Sequence, residues 1–260
     1  MKKEKFTYVV ALTILVLFLS IQSFTQTMEN YLTETAILNF TNTEIQTLVT
    51  KRGWNKLDTT PKILSIYNFV RDEIAFGYNA ADNLSASVVL SDGIGQCNTK
   101  STLFMALLRA VGVPCRFHGF AIDKKLQKGA ISGIWYKLAP KEIIHSWVEV
   151  LYNGKWINME GFILDMPYLH NLQQRFTCHT THFVGYGVAI DNFKNPPVKW
   201  TGGDTYIQKE GIVKDFGLFD TPDQFYQKYG TNLSGFKNFV FQKVVRKKMN
   251  KNVASIRNNK

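Results

Sequence analysis

Cys97 is the residue in this sequence best placed for nucleophilic chemistry. It follows the glycine-rich turn Gly93-Ile94-Gly95-Gln96 and precedes an apolar run with helical periodicity. Backbone amides at the start of a helix stabilise negative charge, both on a thiolate and on a developing oxyanion. Cys97 is therefore a candidate nucleophile, although a small cysteine that fills space beneath the turn is an alternative. Gln96 is either a second oxyanion donor or a solvent-facing turn residue.

A hairpin places an imidazole beside a carboxylate. A two-residue turn at Asn153-Gly154 pairs Glu160 with Trp147 across an antiparallel ladder. His145 precedes Trp147 by two residues on the same face, so His145 and Glu160 are diagonal neighbours about 7–8 Å apart between Cα atoms. A carboxylate at that distance can accept an imidazole N–H and fix its tautomer. Asp165 would face the other way, so Glu160 is the predicted partner.

The elements around these residues predict an α+β fold. A stretch beginning at Pro61 has the 3-4-3-4 apolar spacing of an amphipathic helix, and the run after Cys97 ends at Gly112 as a C′ residue. Helical elements come before the strands rather than alternating with them, which is typical of helices packed on an antiparallel sheet. The predicted strands are Val113–Ile122, Ile143–Tyr152 and Lys155–Glu160.

The ordered set of these motifs resembles the transglutaminase-like superfamily over about residues 55–170. The segments that carry the resemblance are Gly-Ile-Gly-Gln-Cys97, the run Leu-Leu-Arg-Ala-Val-Gly-Val-Pro-Cys-Arg at 107–116, His145-Ser-Trp-Val-Glu-Val and Gly154-Lys-Trp-Ile-Asn-Met-Glu160. The resemblance implies a papain-like core with Cys97 as nucleophile, His145 as base and residue 160 as its orienting group. The family usually has aspartate at that last position, where this chain has the longer glutamate.

The resemblance implies chemistry on amide bonds through a thioester, with no cofactor. Members of the superfamily include cross-linking transglutaminases, proteases, amide hydrolases and inactive modules. We expect a cysteine hydrolase acting on peptide or protein amides, since the sequence indicates no second site for an amine acceptor. The alternative is a catalytically inactive module that binds a peptide or glycan. Trp147 and Trp156 are candidates for the wall of the substrate cleft, or else core aromatics.

The N-terminus has the pattern of a targeting segment. Lys2, Lys3 and Lys5 precede an apolar run from Tyr8 to Leu19, which is shorter than a full membrane span. Residues 1–25 are therefore expected to be a cleaved signal peptide or a retained membrane anchor, with a buried cytosolic helix as the third interpretation. Either favoured interpretation predicts an exported protein, periplasmic or secreted. Residues 26–200 are the predicted transglutaminase-like domain, and 201–260 a C-terminal extension.

The positive charge is concentrated at the C-terminus. The formal net charge is +11, but nine basic residues and no acidic residue follow Asp223, which leaves 22 basic against 20 acidic residues in the chain up to and including Asp223. This tail is expected to dock on an anionic membrane surface or acidic polymer, or to be a solvated tail. No nucleic-acid partner is expected, because the body is nearly neutral and has no matching motif. Five residues could form one apolar face of a final helix: Phe236, Phe239, Val240, Val244 and Met249.

Other histidines and cysteines carry weaker signals. The cluster of His170, Cys178, His179 and His182 matches no standard metal spacing, so no metal site is predicted. Cys115 and Cys178 could form a disulfide in an exported protein, or remain two buried thiols. His118, within a predicted strand, is expected to be structural.

Overall fold

A computed structural model describes residues 28–131, 133–178, 181–233 and 235–259. The predicted signal peptide or anchor at 1–25 lies outside these residues. Within the described ranges, no helix is both long enough and apolar enough to cross a membrane.

The fold begins with helices that surround one buried helix. The helices in the first half are α1 (Thr43–Arg52), α2 (Thr59–Asp72), α3 (Ala86–Asp92), α4 (Cys97–Ala110) and α5 (Gly133–Leu138). Those in the second half are α6 (Met166–Arg175), α7 (Pro222–Tyr229), α8 (Gly235–Val240) and α9 (Arg246–Arg257). Short 3-10 turns occur at Trp54–Lys56, Lys124–Gln127 and Lys209–Gly211. Helix α4 is the centre of the core, with every residue from Cys97 to Arg109 buried.

The strands form one main sheet and two small ones. They are β1 (Ala75–Phe76), β2 (Ile94–Gly95), β3 (Cys115–Asp123), β4 (Glu142–Tyr152), β5 (Lys155–Met159), β6 (Phe183–Gly185), β7 (Val188–Ile190) and β8 (Ile212–Phe219). The main sheet is antiparallel in the order β5-β4-β3-β8 and packs against α4. The α+β prediction is therefore confirmed. The predicted hairpin register is also confirmed, since Tyr152 pairs with Lys155 and Val148 with Met159.

The sheet continues beyond the predicted domain boundary at residue 200. Strand β8 forms the edge of the sheet by pairing with β3, from Phe117↔Phe219 to Ile122↔Ile212. In addition, Thr205 donates its backbone N–H to Asn158 at the end of β5 and accepts from Glu160. The residues predicted as an extension therefore complete the sheet of the preceding domain.

The basic C-terminus folds back on the core as a helical segment, residues 235–257. A π-helical turn at Phe241–Val245 separates α8 from α9. Because a π turn inserts one residue, the apolar face slips from the predicted Val244, which is 39% exposed, to Val245. The predicted apolar face is wrong on this point. Met249, Val253 and Ile256 of α9 are buried.

A buried lysine ties the end of α2 to the loop after β5. Lys100, on α4, is fully buried and donates from Nζ to the carbonyl oxygens of Arg71 and Ile163, at 3.1 and 3.0 Å. Burial lowers the pKa of Lys100 from 10.5 to about 7, although the nearby Asp165 and Asp72 carboxylates oppose this shift. Between pH 7 and pH 10.5 the unfolded chain binds more protons at Lys100 than the folded chain does. The contribution of Lys100 to the free energy of unfolding therefore increases as pH rises.

We expect Lys100→Met to reveal that linkage. The stability of the wild type relative to the variant should increase by about 1–3 kcal/mol between pH 6.5 and pH 9. Urea unfolding of both proteins at the two pH values measures the difference. Lys62→Met, at a partly exposed lysine on α2, is the control and should show no comparable change. A wild-type advantage that is equal at both pH values would contradict the linkage.

Candidate active site

Cys97 lies at the first position of α4, with a relative exposure of 7%. The turn before it is pressed against the helix, because a Cβ on Gly95 would lie 2.6 Å from Lys100 Cγ and 3.0 Å from Thr99 Oγ1. Thr99 Oγ1 also accepts the backbone N–H of Gln96 at 3.0 Å. The Cys97 amide is among the first N–H groups of the helix, which have no acceptor within it. Thiol and amide therefore occupy the positive end of a buried helix.

His145 lies on β4 and is fully buried. Its Nε2 is 2.7 Å from Glu160 Oε1, while Nδ1 is buried without a hydrogen-bond partner in the part of the chain that the structure describes. Burial alone lowers the pKa of His145, but the charge of a Cys97 thiolate and the Glu160 carboxylate, with its hydrogen bond, raise it to about 9. Because Nε2 is occupied by Glu160, Nδ1 is the ring nitrogen left for Cys97. His145 and Glu160 are therefore in direct contact, and Cys97 is near enough for its charge to act on the same imidazole.

Glu160 is held by a segment that sequence analysis did not associate with the site. Its Oε2 accepts the backbone N–H groups of Ile207 and Gln208, each at 2.9 Å. Its own N–H is bonded to Thr205, through both the carbonyl and the hydroxyl oxygen. The carboxylate therefore bridges from the imidazole to the 205–208 backbone.

Gln96 is part of a polar network and not a free solvent-facing residue. Its Oε1 accepts from Asn79 N at 2.9 Å, and its Nε2 donates to Asp82 Oδ1 at 3.3 Å. Asp82 also accepts from Asn98 on α4, and from both the backbone and the side chain of Asn232. These contacts fix the start of α4 relative to the chain after α7. The predicted oxyanion role of Gln96 stays a prediction.

A cavity of about 500 Å³ adjoins Cys97. Its walls are mainly apolar, and much of the wall comes from α5 and the C-terminal helical segment. These two elements contribute the apolar side chains of Trp135, Leu138, Val240, Phe241, Val245 and Met249. The lining also includes the chain around 76–82, the turn at Gln96, the start of β4 at Ile143 and Ile144, residues 231–233, and the 205–208 segment through Gln208. The cavity therefore combines the candidate nucleophile with residues after 200.

The tryptophans predicted for the cleft lie elsewhere. Trp147 is 6% exposed and packs against Phe120, with ring centroids 4.1 Å apart, and against Tyr206. Trp156 stacks on the Arg116 guanidinium at 4.1 Å. Neither lines the cavity. Trp147 therefore has the contacts of a core aromatic, the alternative that the sequence also left open.

The remaining candidates have other partners. Asp165 caps α6 and pairs with Arg257, away from His145. His118 bonds Glu149 and Asp215 through its two ring nitrogens, at 2.9 Å each, so its contacts are structural, as expected. In the described ranges all three cysteines are free, with Cys115 buried and Cys178 exposed, so no disulfide joins them.

The predicted histidine cluster falls partly outside the described residues, because His179 does. His170 is bonded to Gln174 and His182 to Asp191. Among the residues described, no group of three or more His, Cys, Asp or Glu side chains could hold a metal ion.

Comparison with known proteins agrees with this arrangement. Residues 46–161 match the family model of the transglutaminase-like superfamily, and this stretch contains Cys97, His145 and Glu160. A search of curated proteins finds no match. One similar solved structure is the "Putative Cysteine Protease from Cytophaga hutchinsonii", with 16% identity and a TM-score of 0.42. The match covers 75% of this chain and 48% of that one, so the chain spans about half of its length. The resemblance to the transglutaminase-like superfamily is therefore confirmed over residues 46–161.

Proposed function

We propose that this protein is a cysteine hydrolase of amide bonds that uses Cys97, His145 and Glu160. The observation that carries the proposal is the buried His145, which has Glu160 on Nε2 and Cys97 as the neighbour left for Nδ1. An imidazole oriented on one side and facing a thiol on the other is the arrangement that activates a cysteine nucleophile.

The proposed reaction follows from these contacts. The Cys97 thiolate attacks the amide carbonyl carbon, and the oxyanion accepts a hydrogen bond from the Cys97 backbone N–H. The His145 imidazolium gives its Nδ1 proton to the leaving amine as the C–N bond breaks, leaving a thioester on Cys97. Neutral His145 then takes a proton from water, which attacks the thioester. The C–S bond breaks, the acid leaves, and the thiolate–imidazolium pair is restored.

Hydrolysis is proposed over cross-linking, because water is always present and no separate amine-acceptor site supports transamidation. We further propose that the protein is exported, on the evidence of the N-terminal pattern. The exposed lysines of α9, Lys247, Lys248 and Lys251, are the proposed contact with an anionic surface. A catalytically inactive binding module is the outcome to which a failed test would point.

The test compares two reactions of Cys97 across pH. Alkylation by iodoacetamide needs only the thiolate, whereas amide cleavage also needs the His145 proton. Because the pKa of His145 is raised to about 9, we expect cleavage of peptidyl coumarin amides to fall about tenfold per pH unit above that value, while alkylation does not fall. His145→Ala should slow alkylation at pH 6 at least about tenfold, since the thiolate loses its counter-ion.

Cys97→Ala, which should take up no label, shows that the label reports on this thiol. An alkylation rate in the wild type that matches His145→Ala at every pH would overturn the proposed enzyme and favour the binding module.

A further inference from the structure

The cavity beside Cys97 has a composition that selects among amide substrates. Apart from the network around Asp82, its walls are mainly the apolar side chains of α5 and of the C-terminal helical segment. The Asp82 carboxylate already accepts from Gln96, Asn98 and Asn232, so its charge is satisfied within the protein. Filling this space with apolar groups is favourable, whereas burying a charged group there is not.

One buried polar atom of a residue that lines the cavity lacks a partner. Gln208 is 2% exposed, and its Nε2 donates to the carbonyl oxygen of Gly187 at 2.6 Å. That contact fixes the orientation of the amide, because a carbonyl can only accept. Its Oε1 is buried without a hydrogen-bond partner among the described residues. An unpaired buried acceptor costs free energy, which a ligand with an N–H group would recover.

Gln208 is also close to the chemistry through the backbone. Its backbone N–H holds Glu160, which in turn holds His145. The unpaired acceptor and the apolar walls therefore belong to the same site as the candidate nucleophile.

We infer that the site takes the main-chain carbonyl of a bulky apolar residue, rather than the side-chain carboxamide of glutamine. This inference rests on the proposed function. The apolar side chain fills the cavity against Val245 and its neighbours, and the N–H of the same residue donates to Gln208 Oε1. A glutamine side chain presents only a short aliphatic stem to these walls, whereas a Phe or Leu side chain buries a larger apolar surface against them.

The probes are N-acetyl aminoacyl chloromethyl ketones that carry Phe, Leu, Ala, Gln or Lys side chains. In each, the Cys97 sulfur displaces chloride from the methylene carbon, so every probe reports on the same thiol. We expect the Phe and Leu reagents to inactivate roughly 10- to 100-fold faster than the Ala, Gln and Lys reagents, from the burial of one large apolar side chain. Iodoacetamide measures the reactivity of the thiol without using the cavity.

Filling the cavity tests its role directly. Val245→Trp should reduce the rate of the Phe reagent to that of the Ala reagent and leave the iodoacetamide rate within twofold. Val244→Trp is the matched control, because Val244 is the neighbouring residue but is exposed and outside the lining. Val240→Trp, on another part of the wall, gives a second variant if the first does not fold.

Removing the N–H tests the Gln208 contact. N-methylation of the Phe reagent should cost roughly 5- to 10-fold in the wild type, the worth of one hydrogen bond to a buried acceptor, and less than twofold in Gln208→Met. An equal cost in both proteins would overturn the assignment of Gln208.

Two failures can be told apart. If iodoacetamide reacts rapidly in a His145-dependent way but the Gln or Lys reagent is as fast as the Phe reagent, the substrate class is wrong and the proposed hydrolase stands. If Cys97 reacts no faster than an ordinary thiol with every probe, the proposed function fails and the substrate class fails with it.

Discussion

Replacing Glu160 by glutamine is expected to lower kcat/KM for a peptidyl coumarin amide by about 10³- to 10⁴-fold, the scale seen when the carboxylate of such a triad becomes an amide. The reason is the set of donors around it. Oε1 receives the His145 ring and Oε2 receives two backbone N–H groups, from Ile207 and Gln208. A glutamine has one oxygen, so its NH₂ group must face a donor on one side. The ring then loses either its orientation or the charge that stabilises the imidazolium.

Glu160→Asp separates the effect of the negative charge at position 160 from the effect of side-chain length. The aspartate keeps the negative charge but is one methylene shorter, so with the backbone unmoved its carboxylate is withdrawn from the His145 ring and from the 207–208 backbone. We expect a smaller loss of kcat/KM, about 10- to 100-fold, from the imperfect orientation of His145. A fully active Glu160→Asp variant would show that the contact to the 207–208 backbone does not matter for the reaction.

Glu149→Gln is the matched control for both changes. Glu149 is a buried carboxylate on β4 that bonds His118 and Arg116 instead of His145. Its replacement should change kcat/KM less than about threefold once stability is matched, because His118 lies outside the proposed reaction. Equal losses in Glu149→Gln and Glu160→Gln would indicate a general effect of removing a buried charge, and would contradict the role given to Glu160.

The β4–β5 hairpin is the part of the site that the sequence alone predicted best. A two-residue turn fixes the register of an antiparallel ladder, and register fixes which residues share a face. That arithmetic was sufficient to select Glu160 over Asp165 as the partner of His145. It could not determine how deeply a residue on that face is buried or what covers it. For this reason the sequence left Trp147 as either a core or a cleft-wall aromatic, and in the structure it packs against Phe120 and Tyr206.

No sequence pattern of comparable strength indicated the other half of the site, which the 205–208 segment and the C-terminal wall form. Glu160 is held by backbone groups of the irregular segment 205–208. Because nearly every residue type has a backbone N–H, such a contact cannot be recognised from the sequence. The C-terminal wall was predicted only in part, for a different reason. Its charges suggested a surface tail, and the π turn at Phe241–Val245 breaks the 3.6-residue period from which a buried face is recognised.

One basic residue near its end, Arg257, contributes to the attachment of that wall. Its guanidinium donates to both oxygens of Asp165, at 2.8 to 3.1 Å, and to the carbonyl oxygen of Phe76 at 2.5 Å. The Asp165 side chain is 2% exposed, so Arg257→Met would leave a buried carboxylate without its cation. We expect the free energy of unfolding to fall by about 2–4 kcal/mol, slightly below the range for a fully buried pair because Arg257 is partly exposed.

Acid should remove this difference. Burial raises the pKa of Asp165, but the hydrogen bonds and charge of Arg257, with backbone N–H donors, outweigh it and hold the pKa below its ordinary value. The pair therefore stabilises the fold above the ordinary pKa of about 3.8, and that contribution is lost as pH falls through the folded value. Urea unfolding at pH 7 and at pH 3 should show a large gap between wild type and Arg257→Met at pH 7 and a smaller one at pH 3.

Lys251→Met distinguishes a specific ion pair from a general effect of removing positive charge. Lys251 is an exposed lysine on the same helix, and its loss should change the free energy of unfolding by less than about 0.5 kcal/mol. If Lys251→Met and Arg257→Met destabilise equally, the basic helix acts through its summed charge and the Arg257–Asp165 contact is incidental. If only Arg257→Met destabilises, the same residue that looked like part of a solvated tail helps to hold one wall of the cavity against the transglutaminase-like domain.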